Sequence, residues 1–268
     1  LLQRFSDRLG LEAPLTCWHT SRDRSSDMLS SMAILAGTLG KIANEICQLA
    51  RDEIGELEEP FHMGKIGSTT MPHKRNPELC EQVVVLAKLV KHNAAIGFET
   101  LISEHERDYR SIRLEWAAIT DSCQYMCGSL SLMKTILRKL LVHEERIREN
   151  VNQAAGLIAT EALMFRLGEK IGKQTAHQLL YEISMGARSI GRRSTDRPLV
   201  ELLAEHPEIR SIFTREALEK AIDPEQHIGL AGELTDRVVA RAADWLAAQR
   251  DTHDLLSPCP LEESGICT

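Results

Sequence analysis

Aromatic residues are scarce, at 4% of 268 positions, and alternating β-branched runs are scarcer still. Both shortages argue against a chain built from half-buried strands, which draw on such residues. No apolar run approaches the ~18–20 residues that a membrane-spanning helix needs. The opening LLQRFSDRLG has no basic stretch followed by an apolar one, so no secretory leader is legible there. Positive charge is in deficit: 32 Lys and Arg against 39 Asp and Glu leave a formal −7. A nucleic-acid scaffold needs a concentrated basic face instead. The seven cysteines (17, 47, 80, 123, 127, 259 and 267) are odd in number and scattered. That pattern suits reduced thiols in a cytoplasmic protein better than a disulfide framework. Cys123 and Cys127, four apart, are expected to be buried on one helix face. With no companion Cys or His pair at metal spacing, no metal site is expected.

What is present is apolar spacing of three and four in a chain that is 43% hydrophobic. Met28, Met32, Leu35, Leu39, Ile42, Ile46 and Leu49 predict one face of a long helix from Arg22 to about Ile54. Leu79, Val83, Leu86 and Val90 repeat the pattern after Pro77. Trp116, Ile119, Cys123, Met126, Leu130, Met133 and Leu137 make a third stripe. Three such helices predict an all-α fold, a long-helix bundle over residues 1–142. Shorter helical segments over 143–150, 152–168, 173–193, 198–205, 214–221 and 227–249 are punctuated by Pro198, Pro207 and Pro224. They predict a small helical domain over 143–250, with Thr214 capping one helix and residues 251–268 a loose tail. Helices of this length span roughly 40 Å and expose more apolar surface than one small domain covers. A homo-oligomer is therefore expected.

The segment GSTTMPHKRNPELCEQ, from Gly67, differs in character from these stripes. Asn76-Pro77 has the form of a helix start, Asn at the cap and Pro in the first turn. The free N–H groups and positive dipole end of that helix would then face Ser68, Thr69, Thr70, Lys74 and Arg75. Hydroxyls, cations and a helix N-terminus together suit a carboxylate or a phosphate. A capped surface loop whose cations face water explains the same residues, and composition alone leaves both readings open.

The eleven residues G-S-T-T-M-P-H-K-R-N-P, followed by Glu81, resemble the signature of the fumarase/aspartase lyase superfamily, G-S-S-x-M-P-x-K-x-N-P. One position departs from it, Thr69 for the second Ser. R-D-R at Arg22–Arg24, E-E-P at Glu58–Pro60, H-E-R-D at His105–Asp108 and D-P-x-x-x-x-G at Asp223–Gly229 extend the resemblance to about Val239. The resemblance implies a tetramer with a long-helix core and active sites assembled from three subunits. It implies a β-elimination: a proton leaves the carbon beside a carboxylate, and a group leaves the neighbouring carbon. By position, Ser68 falls on the catalytic base, Lys74 and Asn76 on substrate-binding residues, and Glu81 on the carboxylate that orients a general-acid His. Thr69, Arg22, Arg110 and Arg113 complete the candidate substrate-binding set. The substrate is a small carboxylate, and because its own carboxylate acidifies the C–H bond, neither a metal nor an organic cofactor is expected. In this family the acid His and a T-S loop precede the long helices, whereas this chain starts almost at R-D-R. It is expected to show little turnover alone.

Within the superfamily, the pattern resembles the branch of adenylosuccinate lyase and 3-carboxy-cis,cis-muconate cycloisomerase. In adenylosuccinate lyase a Ser and an Arg after H-E-R hold the nucleotide phosphate, whereas this chain has Arg113 and Trp116 there. An indole offers one neutral donor and is a poor phosphate ligand. The Glu115-Trp116 pair, and Trp18-His19-Thr20 leading into Arg22-Asp23-Arg24, resemble the cycloisomerase. The expectation is a cycloisomerase-like member, with adenylosuccinate lyase as the alternative and an elimination on another succinyl-type adduct still open. A non-catalytic helical scaffold is the reading from a different class.

Overall fold

The computed structural model describes residues 1–16, 18–60, 71, 75–153, 157–189 and 199–253. A short helix, α1 (Leu2–Leu9), precedes three long ones: α2 (Asp23–Leu49), α3 (Glu78–Glu99) and α4 (Tyr109–Arg138). The last three pack as a bundle through three layers. Leu29, Ala94 and Ala118 form one end, Ala36, Ala87, Val90 and Met126 the middle, and Ala43, Ile46, Cys80, Val83, Met133 and Ile136 the other end. Leu29, Ala36 and Ala43 repeat every seven residues, as do Ser122, Ser129 and Ile136 on α4. A seven-residue repeat keeps one seam facing its neighbours along near-parallel helices.

That seam matches the predicted face on α3, where Val83 and Val90 are buried, and in part on α4, where Met126 and Met133 are buried, but departs from it on α2. Of the expected α2 stripe only Ile46 is buried, while Met28 and Leu35 are exposed; on α4, Trp116, Leu130 and Leu137 are exposed too. Cys127 is exposed and Cys123 half-buried, against the expectation of two buried thiols. The reason is that small residues fill the seam and draw the helices close. A Cβ on Gly40 would meet the Cβ of Ala87 at 2.9 Å. Several larger apolar side chains, Leu35, Leu130 and Leu137 among them, lie on the flanking faces.

Helix α2 ends at Leu49, short of the expected Ile54, because the chain turns through Gly55 in the left-handed region (φ 66). The Glu56 N–H donates to the Leu49 carbonyl at 2.9 Å. The chain then enters β1 (Leu57–Glu58), which pairs antiparallel with β2 (Leu141–Val142) just after α4. This two-stranded ladder, too short for a periodic signature, is not legible in the sequence.

The second unit comprises α5 (Glu144–Gln153) from Glu149 on, α6 (Thr160–Ile171), α7 (Lys173–Ser189), α8 (Leu199–Glu205), α9 (Pro207–Ile212), α10 (Arg215–Ile222) and α11 (Ala231–His253). The chain divides between Arg148 and Glu149 rather than at 142/143. Strand β2 and Arg146, which donates to the Ile54 carbonyl at 2.9 Å and that of Glu53 at 3.2 Å, hold residues past 142 in the first unit. Leu163, Leu167, Leu179, Leu203, Ile209 and Leu218 centre the second core. Thr214 caps α10 as expected, its Oγ1 accepting from the Ala217 N–H at 3.2 Å. Most of the tail expected to be loose lies outside the described residues, α11 running through His253. No described helix is long and apolar enough to cross a membrane.

Candidate functional site

The signature segment enters α3 differently from the expected Asn76 cap. Pro77 is the N-cap and its own side chain offers no acceptor, and the Asn76 carbonyl accepts from the Glu78 N–H at 2.9 Å. The cap comes instead from Glu59, 5% exposed, at the end of β1. Its Oε2 accepts from the Leu79 N–H at 3.0 Å and the Cys80 N–H at 3.1 Å. The positive end of α3 thus already holds an anion, the protein's own carboxylate. Asn76 is half-buried beside it, and Glu81, one turn in, is exposed. Ser68, Thr69 and Lys74 lie outside the described residues.

Glu58, next in line, forms an ion pair with Arg75, and His143 Nε2 lies 3.5 Å from its other oxygen. These side chains, with Cys47, Met71 and Asn76, line a cavity of about 580 Å³. Burial pushes the Cys80 thiol far up, and the carboxylate of Glu59 pushes it further. Burial raises Cys47 as well, with Glu81 and Glu59 adding to the effect. Thiolate nucleophiles are thereby disfavoured at this end of the bundle. Among the described residues, no cluster of three or more His, Cys, Asp and Glu could hold a metal ion.

The remaining expected ligands sit at the opposite end. Arg22 is 6% exposed, and its Nη1 contacts both Glu115 carboxylate oxygens, at 3.3 and 3.2 Å. Its Nη2 donates to the Trp18 carbonyl at 3.0 Å, and the guanidinium carbon lies 5.5 Å from the Trp18 ring centre. The cation expected to meet substrate is thus neutralised inside the fold. Asp108 caps α4 through the Arg110 N–H (2.9 Å) and holds the Arg110 guanidinium at 3.0 and 3.1 Å, while Glu104 takes it at 2.8 Å. The Arg110 side chain holds the Asp108 carboxyl down at about 2. Arg113 is exposed and stacks over Tyr109 at 5.4 Å. The 22 residues of α3 separate the two ends by about 33 Å at 1.5 Å per residue. One chain therefore brings Asn76 and Glu81 together, and Arg22, Arg110 and Arg113 together, but not the two groups.

Sequence reasoning missed Glu59, the Glu58–Arg75–His143 cluster and Glu115 as structural partners. E-E-P immediately before a loop that ends at a helix start is the signal that points to the first; the others are long-range pairings that local pattern does not show.

A long-helix bundle in which the signature segment leads into α3 beside a buried capping carboxylate defines a class of mostly helical proteins. The Lyase family profile matches residues 5–91, and that of the Adenylosuccinate lyase C-terminus matches residues 156–238. The chain is 42% identical over 235 residues to the N-acetyl-S-(2-succino)cysteine lyase of Dickeya dadantii, covering 88% of this chain and 51% of that protein. It is 32% identical over 237 residues to the 3-carboxy-cis,cis-muconate cycloisomerase of Bradyrhizobium diazoefficiens, with coverage of 88% and 51%. The crystal structure of the 3-carboxy-cis,cis-muconate lactonizing enzyme of Pseudomonas putida superposes with a TM-score of 0.79 at 31% identity, covering 89% and 52%. The chain belongs to the fumarase/aspartase lyase superfamily, in the branch of adenylosuccinate lyase and 3-carboxy-cis,cis-muconate cycloisomerase. It spans about half the length of the curated relatives it matches.

Proposed function

We propose that the protein serves a β-elimination on a succinyl thioether, releasing fumarate and a thiol. The observation that carries this reading is the 42% identity to a lyase named for N-acetyl-S-(2-succino)cysteine, against 32% to a cycloisomerase. A Ser68 alkoxide takes the proton from the methylene carbon beside one carboxylate, and the electron pair spreads into that carboxylate. The C–S bond of the neighbouring carbon then breaks, its electrons leave on sulfur, and a double bond closes between the two carbons. Lys74 and Asn76 hold the carboxylate on which charge develops, where fixed donors lower the barrier most. Glu81 orients the acid that protonates the departing group. Thiols, with pKa near 8.5, leave with less help from that acid than amines or alkoxides do.

The two ends of the bundle come together only between copies. An antiparallel neighbour would set the Arg110 and Arg113 end of one chain against the Asn76 end of another, as in a homotetramer with shared sites. The exposed Ile34, Leu35, Leu89, Leu130 and Leu137 supply apolar surface for that contact. In the whole protein, Ser68→Ala should abolish thiol release from N-acetyl-S-(2-succino)cysteine. Unchanged release removes the base assignment and favours the non-catalytic scaffold. Mixing Ser68→Ala with Arg113→Ala should restore part of the activity if sites are shared, and no recovery refutes the sharing.

A lactone of the muconate type is the second reading, favoured by the Glu115-Trp116 pair and by the likeness to the Pseudomonas putida enzyme. Adenylosuccinate is the third, supported by the match over residues 156–238. Offering all three substrates decides. Turnover of the lactone or the purine nucleotide without turnover of the thioether overturns the first reading.

A further inference from the structure

We infer that Glu59 is the positioning residue of this site: by filling the N-terminus of α3 it fixes Asn76 and Glu81 and denies that helix end to substrate. The inference rests on the elimination reading for its kinetic part, and on geometry alone for the rest. A carboxylate 5% exposed lies against the first turn of α3, accepting from two successive backbone N–H groups. Pro77 occupies the cap position and has no side-chain acceptor to offer the helix. Pro77 is followed at once by the Leu79 and Cys80 donors, and its carbonyl accepts from the Glu81 N–H at 2.9 Å. A shift of Glu59 therefore moves the turn that carries both Asn76 and Glu81.

The other side of Glu59 is also anchored. Its neighbour Glu58 is tied to β2 by the ladder, to Arg75 by an ion pair, and to His143 at 3.5 Å. The segment that leaves at Pro60 and returns at Arg75 is thus closed at its base by two adjacent carboxylates, one on a side chain and one on a helix end. Two donors of the helix end, and its dipole, are already committed to Glu59. Substrate carboxylates must then be held by side chains of the segment rather than by the α3 backbone.

The test compares Glu59→Gln, Glu59→Ala and Thr214→Ala in the whole protein. Thr214→Ala removes a comparable helix cap in the other unit. All three should lower the unfolding temperature, Glu59→Ala and Thr214→Ala to similar extents. Only the Glu59 variants should lose kcat on N-acetyl-S-(2-succino)cysteine, by tenfold or more for Ala, with KM rising as Asn76 shifts. Glu59→Gln keeps one acceptor oxygen and should fall between. Kinetics of Glu59→Ala that match Thr214→Ala overturn the inference. A wild-type protein that releases no thiol refutes the thioether reading instead. The inference is then judged by the crystal structure of Glu59→Ala: Asn76 and Glu81 displaced by about 1 Å or more support it, and unmoved residues overturn it.

Discussion

Replacing Glu115 by Ala would leave the Arg22 cation stranded at the α2 start. Among the described residues, the guanidinium is 6% exposed, Glu115 is its ion-pair partner, and its Nε has no hydrogen-bond partner. Removing one member of a buried pair costs about 3–5 kcal/mol, because the other charge stays desolvated. For a unit of this size that is roughly a 10 °C fall in unfolding temperature. Arg22→Met should cost a similar amount by stranding the carboxylate. The double variant Arg22→Met/Glu115→Leu removes both charges and keeps the volume, so it should recover most of the loss. The orphaned Nε strengthens this expectation, since the native pair carries a desolvated donor that no partner compensates. Thermal or urea unfolding of the parent, Arg22→Met, Glu115→Leu and the double variant yields the coupling energy. A cycle in which Glu115→Ala costs less than about 1 kcal/mol, or in which the double variant is no more stable than the singles, refutes the argument. The same proteins separate a strut from a ligand: if Arg22 only braces α2 against α4, the double variant keeps the KM of the parent.

Gly40→Ala forces its new Cβ to within 2.9 Å of the Ala87 Cβ, an atom that no side-chain rotation can move. The overpacking cost of about 1–3 kcal/mol should exceed the helix-propensity gain of about 1 kcal/mol, and a variant as stable as the parent would contradict the close α2–α3 approach. The Asp108 carboxyl, held at about 2 by Arg110, lies below the ordinary value near 3.9. A depressed folded-state value means that the α4 cap contributes fully above pH ~4 and is lost as pH falls towards 2. The stability gap between parent and Asp108→Asn should therefore be flat from pH 5 to about 4 and close below it. A gap that closes near pH 6 would assign the titration elsewhere. Cys127, exposed, should alkylate well before Cys80, whose thiol is pushed up by burial and by Glu59. Mass-mapped labelling of Cys80 first would show that the α3 N-terminus opens freely.

The sequence carried the existence and rough length of the three long helices, because spacing of three and four is a local property of each segment. It carried the buried face of α3, where Val83 and Val90 are core, and missed much of it on α2 and α4. Leu35, Trp116, Leu130 and Leu137 look like core because they are large and apolar, yet the seam is lined by Ala36, Ala43, Ala87, Ser122 and Ser129. Periodicity counts hydrophobic residues and passes over small ones, although small residues set how closely helices approach. The residue types of the candidate site were legible from one segment, and its base was not. Asn76-Pro77 reads as a self-sufficient helix start, whereas the donors at Leu79 and Cys80 are satisfied by Glu59, about twenty residues earlier in the chain. Arg22 reads as a free cation, and its counter-charge lies 93 residues away. In both places local chemistry correctly showed that a charge was needed. Which group met it depended on the packing of elements distant in sequence: a carboxylate delivered by β1 closed the helix end, and one delivered by α4 neutralised the arginine. A helix N-terminus or a conspicuous arginine read from sequence is therefore evidence of a charged partner. Substrate becomes that partner only where the fold has not already provided one.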